Sequence, residues 1–419
     1  MSLVPLVAVG GGCDRYEPPC DVVSQSAVLE GLAAEAELEP LPNGSVVIRW
    51  LRYDPAPGAD PWVQPVPAGL EVAVVDPDGF VTERTVVASP RELSERKGST
   101  HDVGAVWTPE RTVFHWVEES LASAPDGAQT TASRLVVGFG GGDGTVGASP
   151  FTVECDDCVL HAAAVRFPAG VSVLFSHRPR HGALAAEGAA LEVGFVLASP
   201  DGSFTSGKVP WLAALSSSGS SASGVGSSPF AGVGAHPELR GVAGTPLVLT
   251  QAHGVWAVDA WLQPVAGPLL LTDAAVATLE WNVASNRVAT ASTHAHEGNV
   301  GEEPDLRFRV FDNDGVPLGG PQRFSTGLTA RALASSDSGY GVVFASRTTQ
   351  YFALLDSSGV KVGGDLRLSS QPVASAQSPG TLGGPPRATE SLTPRSGRGY
   401  VRLAIEQSRA VRTEIVCAR

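Results

Sequence analysis

"YFALLDSSGVKVGG", residues 351–364, decides the fold. A mostly apolar run enters Asp-Ser-Ser-Gly, and a second short apolar run leaves it. Asp356 sits where its carboxylate can accept backbone N–H groups two residues on, and Gly359 sits where the chain must take positive φ. That is the chemistry of a short hairpin loop built on a type I turn.

The same wording appears 44 residues earlier. "FRVFDNDGVPLGG" (308–320) matches "FALLDSSGVKVGG" (352–364), with Asp312 on Asp356 and Gly315 on Gly359. Looser copies are "LEVAVVDPDGFV" (70–81), with Gly79, and "LEVGFVLASPDGSF" (191–204), with Gly202. Two weaker ones are "LVVGFGGGDGTV" (135–146) and "VWAVDAWLQPVAGPL" (255–269). Repetition at this scale indicates an array of supersecondary units.

A further strand precedes each hairpin. "GYGVVFASRTTQYFALL" (339–355) reads strand, loop, strand, and "GYVRLAIEQSRAVRTEIV" (399–416) repeats it with Tyr400 on Tyr340. Related strands are "SVVIRWL" (45–51), "TVFHWVE" (112–118), "VSVLFSH" (171–177), "TPLVLTQ" (245–251) and "RVATAST" (287–293). These seven inner-strand candidates are spaced roughly 40–75 residues apart, which predicts an all-β propeller of seven four-stranded antiparallel blades. Six blades is the nearest alternative and a sandwich ranks next. The chain holds 48 Gly and 32 Pro among 419 residues, and only "EGLAAEAELE" (30–39) reads as helix-like, a run that short strands could also claim. Two stretches, 216–228 and 371–397, are too polar and Gly/Pro-rich to pack and are expected to be irregular insertions. The chain stops soon after the last unit, so a strand from residues 22–40 is expected to complete the final blade and cover its edge.

Charge narrows the partners. With 29 basic and 43 acidic residues, a net of −14, most of the surface repels nucleic acid. No run after residue 13 is long and apolar enough to span a membrane.

The histidines and glycine-rich loops yield no strong motif. His294, His296 and Glu297 cluster in "THAHE", and His177 and His181 in "SHRPRH"; on a strand His294 and His296 would face one way, so a metal is geometrically possible, but clustered histidines at strand ends or loops are more often solvated. "DNDG" (312–315) lacks the later Glu of a calcium loop, and "GFGGGDG" (138–144) opens no helix. Neither a catalytic triad, a nucleophile elbow nor a P-loop appears, so no catalytic, cofactor or metal residue is assigned.

Five cysteines remain: Cys13, Cys20, Cys155, Cys158 and Cys417. "MSLVPLVAVGGG" before Cys13 resembles the end of a bacterial lipoprotein signal, which makes Cys13 the lipidated residue and 1–21 a signal-like segment and tether. Four cysteines are then left, enough for two disulfides in an oxidising compartment. Cys155 and Cys158, in "ECDDCVLH", are neighbours, and a closed ring would bring Cys20 to Cys417 with Cα atoms roughly 4.4–6.8 Å apart; pairing Cys20 with Cys155 or Cys158 fits the ring less well. "CDDCVLH" also admits zinc, with His161, or redox chemistry, but neither a second ligand pair nor a βαβ setting accompanies it.

The wording "YFALLDSSGVKVGGDLRLSS" with "GYGVVFASR" upstream resembles the repeats of secreted bacterial β-propeller lipoproteins, most clearly over about 305–370. The resemblance implies one propeller domain over 22–419 and a lipid-anchored, cell-envelope or extracellular location. It brings no catalytic residues. The expected function is a non-catalytic, monomeric binding or scaffold protein for a protein or glycan. The alternative is an enzyme acting on a glycan through the central channel.

Overall fold

The computed structural model describes residues 18–32, 36–41, 43–54, 66–88, 99–123, 129–140, 150–179, 192–218, 238–242, 245–249, 254–270, 276–282, 287–294, 305–312, 314–326, 328–336, 339–346, 349–369, 390–395, 399–406 and 408–418. Its strands form seven antiparallel four-stranded sheets, the blades of a seven-bladed propeller. β1 (Cys20–Glu30) is held back for the end of the ring. Blade 1 contains β2 (Glu37–Pro40), β3 (Val46–Asp54), β4 (Val66–Val75) and β5 (Val81–Ala88). Blade 2 contains β6 (Ser99–Trp107), β7 (Thr112–Ser123), β8 (Gln129–Gly140) and β9 (Phe151–Asp156). Blade 3 follows with β10 (Cys158–Phe167), β11 (Gly170–Pro179), β12 (Glu192–Ala198) and β13 (Phe204–Lys208). A helix, α1 (Pro210–Ser218), leads to blade 4: β14 (Glu238–Val242), β15 (Thr245–Leu249), β16 (Gly254–Val258) and β17 (Pro264–Leu270). Blade 5 has β18 (Val276–Asn282), β19 (Arg287–His294), β20 (Asp305–Asp312) and β21 (Gln322–Thr326). Blade 6 has β22 (Leu328–Ser336), β23 (Gly339–Ser346), β24 (Thr349–Asp356) and β25 (Lys361–Ser369). The closing blade takes β26 (Glu390–Arg395), β27 (Gly399–Glu406) and β28 (Arg409–Cys417) from the end of the chain, and β1 pairs antiparallel with β28 to complete it.

The seven predicted inner strands mark the seven blades but are in each case the second strand, not the innermost. The physical reason lies in burial. A second strand has a partner on each edge and a neighbouring blade against each face, so it reads as the most continuous apolar run. β23, "GYGVVFAS", is buried over seven successive residues. The true first strand borders the channel and alternates, as in β22, "LTARALASS", with burial at every second position over most of its length.

The core is likewise distributed. Seven apolar clusters lie one at each blade-to-blade junction. At the last junction Leu38, Ile48 and Trp50 of blade 1 pack on Leu403, Ile405 and Ala410 of the closing blade. Each junction buries aliphatic and aromatic surface at about 25 cal/mol per Å².

The Asp turn recurs as predicted. Asp356 Oδ1 accepts from Ser358 N at 2.9 Å and Val360 N at 3.0 Å, and Gly359 has φ 85°. Asp312 does the same with Asp314 N and Val316 N, and Gly315 has φ 78°. Blade 4 keeps the geometry without glycine: Asp259 Oδ1 accepts from Trp261 N and Gln263 N, while Leu262 takes φ 55°. All join the third strand of a blade to the fourth.

Of the two readings open to 30–39, the strand reading holds, since the run contains the end of β1 and most of β2. Two expectations need correcting. The helix found is α1, whose last residues 216–218 fall in the stretch read as irregular. Within 371–397, Glu390–Arg395 forms the first strand of the closing blade, because Glu390, Ser391 and Leu392 are buried against β27. The remainder of 216–228, and 371–389 and 396–397, lie outside the described residues.

The turn generates a prediction. A Cβ at Gly359 would stand 3.0 Å from both Phe308 and Val310 at positive φ, so Gly359→Ala should lower stability by about 1–2 kcal/mol in urea unfolding. Partial burial works to raise the Asp356 pKa, but hydrogen bonds from Ser358, Val360 and Gly359 outweigh it and hold the carboxyl below its usual value. Its stabilisation is therefore present above pH about 4 and lost as pH falls through the lowered value. Asp356→Asn should remove that part of the acid dependence.

Candidate functional site

The covalent pairs come first. Cys20 and Cys417 are directly opposite in the β1–β28 ladder and are joined by a disulfide across 397 residues of sequence. Their Cα atoms are 3.9 Å apart, below the roughly 4.4–6.8 Å expected. Both are buried at the junction with blade 6, beside Leu354, Tyr400 and Ile415. The position is telling. It is the end of the third and fourth strands, where blades 4, 5 and 6 have the Asp turn just described, blade 1 has it at Asp76, and blade 3 has a turn with the same backbone bonds from Ser199 to Ser203. No peptide connects β28 to β1, and the disulfide stands in its place. Cys155 and Cys158 are also joined, with Cα atoms 6.0 Å apart. They flank Asp157, a single linking residue at φ 50° between β9 and β10. Cys13 lies outside the described residues.

His161 does not stand beside this cysteine pair. Its Nδ1 lies 3.0 Å from Asp102 Oδ2, which also accepts from Ala162 N at 3.0 Å. The imidazole near the pair is His177 on β11, with Nδ1 3.6 Å from Cys155 Sγ. The sequence hid this because His177 is distant from the cysteines along the chain. Only the hairpin register, Leu160 opposite His177, sets it two residues diagonally from Cys158. His294 is the last residue of β19, and His181, His296 and Glu297 lie outside the described residues.

Charged residues of the inner strands gather where blades 1 to 3 meet. On β2, Glu37 and Glu39 are two apart and share a side. Arg49 on β3 bridges them, with Nε donating to Glu37 at 2.6 Å and Nη1 donating to Glu39 at 3.1 Å and to the Ala105 carbonyl of blade 2 at 2.9 Å. Burial raises the Glu39 carboxyl above its usual range, against the lowering pull of Arg49 and Arg166. His115 on β7 is packed over Gly104, where a Cβ would lie 2.4 Å from the ring. Burial pushes its pKa down to about 4, with the Arg49 charge adding to the effect. Asp102 sits at a bulge in β6 with φ 50°, which turns its carboxylate toward β10 of the next blade.

A second buried group straddles the junction of blade 6 and the closing blade. Arg402 on β27, fully buried, donates to Gln350 Oε1 of β24, and Gln350 Nε2 donates to Glu390 Oε1 of β26. Arg402 also donates to Glu406 at 3.1 Å and meets Glu390 at 3.3 Å. Inside an apolar junction such a charge persists only because it is paired and hydrogen-bonded.

Two measurements test this geometry. His115 is neutral when folded and titrates near pH 6.5 when unfolded, so its contribution is present above pH about 6.5 and is lost as pH falls toward 4. Urea unfolding at pH 4.5 should show a loss of about 2–3 kcal/mol relative to pH 7 that His115→Asn removes. Cross-linking a loop of this length corresponds to about 5–6 kcal/mol in the chain-entropy model. Cys417→Ser, which leaves Cys155 and Cys158 intact, should lower Tm by roughly 5 °C, and unchanged melting would show that the ladder holds the seam without the disulfide.

No protein-family model matches the chain, and no curated protein matches it. Solved structures do. The Cps50 (Swd1) β-propeller domain of Myceliophteria thermophila aligns at 10% identity with a TM-score of 0.38, covering 93% of this chain and 99% of that one. The AfRom2 CNH domain aligns at 8% identity and TM-score 0.36, covering 94% and 99%. Chaetomium thermophilum Raptor aligns at 10% identity and TM-score 0.38, covering 97% of this chain and 30% of its own. These likenesses carry no argument about what the chain binds or does.

Proposed function

We propose that the chain is a non-catalytic binding or scaffold propeller of the cell envelope, held by lipid on Cys13, which receives a protein or glycan on the face of its third-to-fourth-strand turns. The observation that carries this reading is the composition of the turn tips. Phe80, Trp261, Val316 and Val360 stand at these turns in blades 1, 4, 5 and 6 and are 70%, 50%, 55% and 55% exposed. Turns of this kind are satisfied by Asp, Ser and Gly, so an apolar side chain at the tip does nothing for the turn itself. Large apolar groups repeated on one face of a ring are suited to covering by a partner.

The paired ionisable groups at the blade junctions point the same way. Glu37 and Glu39 are bridged by Arg49, Asp102 by His161 and Ala162, and Glu390 by Gln350 and Arg402. A general acid or base must reach a substrate proton, and these groups are engaged with one another. The enzyme reading draws on one observation, the opposite shifts of Glu39 and His115 in a single cluster.

The test pairs capture with turnover. The full chain is incubated with solubilised envelope fractions and, separately, with a panel of polysaccharides. It should retain a protein or glycan that Phe80→Ser with Trp261→Ser releases, and should generate no new sugar ends. Product formation abolished by Glu39→Gln would replace binding by catalysis. Detergent-phase partitioning lost in Cys13→Ala would support the anchor, and partitioning unchanged by that substitution would remove it.

A further inference from the structure

The geometry points to a metal site at the blade 2–blade 3 link, in which Cys155, Cys158 and His177 bind a zinc ion whenever the cysteine pair is reduced. The ligand atoms of these three side chains all lie within 4.8 Å of one another. Cys155 Sγ and His177 Nδ1 are 3.6 Å apart. Two ligands at about 2.3 Å and 2.05 Å from a tetrahedral zinc are separated by about 3.6 Å, so the imidazole already stands at the distance the ion requires.

The frame is rigid. β10, β11 and β12 place Leu160, His177 and Glu192 in one register row. Cys158 is the first residue of β10, and Cys155 is held on β9 opposite Ser133. Ser133 Oγ donates to the Cys158 carbonyl at 2.9 Å and ties that end of the link to β8. The far side of the ring is provided for as well. His177 Nε2 lies 3.4 Å from Glu192 Oε2, the carboxylate–imidazole contact that orients a ligating histidine. Lys208 holds the same carboxylate at 3.4 Å. Cys158 is buried while Cys155 and His177 are half-buried, so a fourth position is open to a water or an anion.

Disulfide and metal exclude each other. A dithiol reductant supplies two electrons and two protons, becoming a disulfide as the Cys155–Cys158 bond breaks to give two thiols. Zinc binding then releases those two protons as the thiolates form. An oxidant that takes the two electrons back reforms the S–S bond and expels the ion. Thiolate and imidazole donors together select zinc over magnesium or calcium.

The test uses the full chain and Co²⁺ as probe, with Zn²⁺ as competitor. After reduction by a phosphine and removal of the reductant, the wild type should bind one Co²⁺ with a thiolate charge-transfer band that Zn²⁺ abolishes. The oxidised chain should give none. Cys155→Ser, which keeps Cys20 and Cys417, should lose the band, and His177→Ala should weaken binding at least tenfold. Glu192→Gln should weaken it about tenfold while leaving the band shape unchanged. Near-UV circular dichroism checks that each variant is folded. A reduced wild type without the band, or a band equally strong in folded His177→Ala or Cys155→Ser, overturns the site.

Discussion

A ring is stable only if it closes, and here closure rests on the pairing of β28 with β1. Each blade buries its faces against its two neighbours, so among the described residues every apolar cluster spans a junction and none is central. Were β1 to leave, Cys20 would go from the junction with blade 6, and Leu29 from the junction with blade 1. The unpaired edge of β28 would also be presented to solvent. The two ends of the chain thus govern junctions that their own residues only partly build.

The arginines extend the same logic across the turn face. Arg395, at the first turn of the closing blade, reaches Asp78 of blade 1, and Arg412 donates to the Pro77 carbonyl beside it. Arg287 of blade 5 donates to the Ser357 carbonyl of blade 6 in the same relative position. The contacts of Arg395 and Arg287 are exposed and individually weak, that of the buried Arg412 is part-buried, and together they help fix the rotation of one blade against the next. The strong polar contacts are internal, as in Arg402 with Glu390 and Gln350, where an unpaired partner would be costly.

What the sequence revealed follows from how local each feature is. The Asp turns are local: four residues and one positive φ specify them, and Asp356, Asp312 and Gly79 could be read directly. The number of blades followed from counting apolar strands, because a second strand is buried on both faces and so is conspicuous. The first strands were not legible, since the channel side relaxes the pattern; β26 even lay inside a stretch that reads as a polar insertion. Strand glycines such as Gly138 and Gly194 make room for the rings of Phe114 and Phe175 opposite them, a pairing that only the register shows. Leu262 at positive φ carries no signal at all, because its conformation is imposed by the Asp259 turn and its burial. The proximity of His177 to the cysteine pair required the register of a hairpin, and the bridges from Arg49 to Ala105 and from Asp102 to Ala162 required two blades to meet.

The disulfide at the seam also changes the topology of the molecule. Peptide bonds from Cys20 to Cys417, together with the bond between their sulfurs, make a covalent circle. A single backbone cut anywhere on that circle opens it into a line without releasing a piece, and the seven junctions continue to hold the line as a ring. Two cuts are needed to free a fragment. A cut between blades is therefore tolerable in a way it would not be for an open chain, and reduction of one buried bond removes that tolerance all round the circle at once.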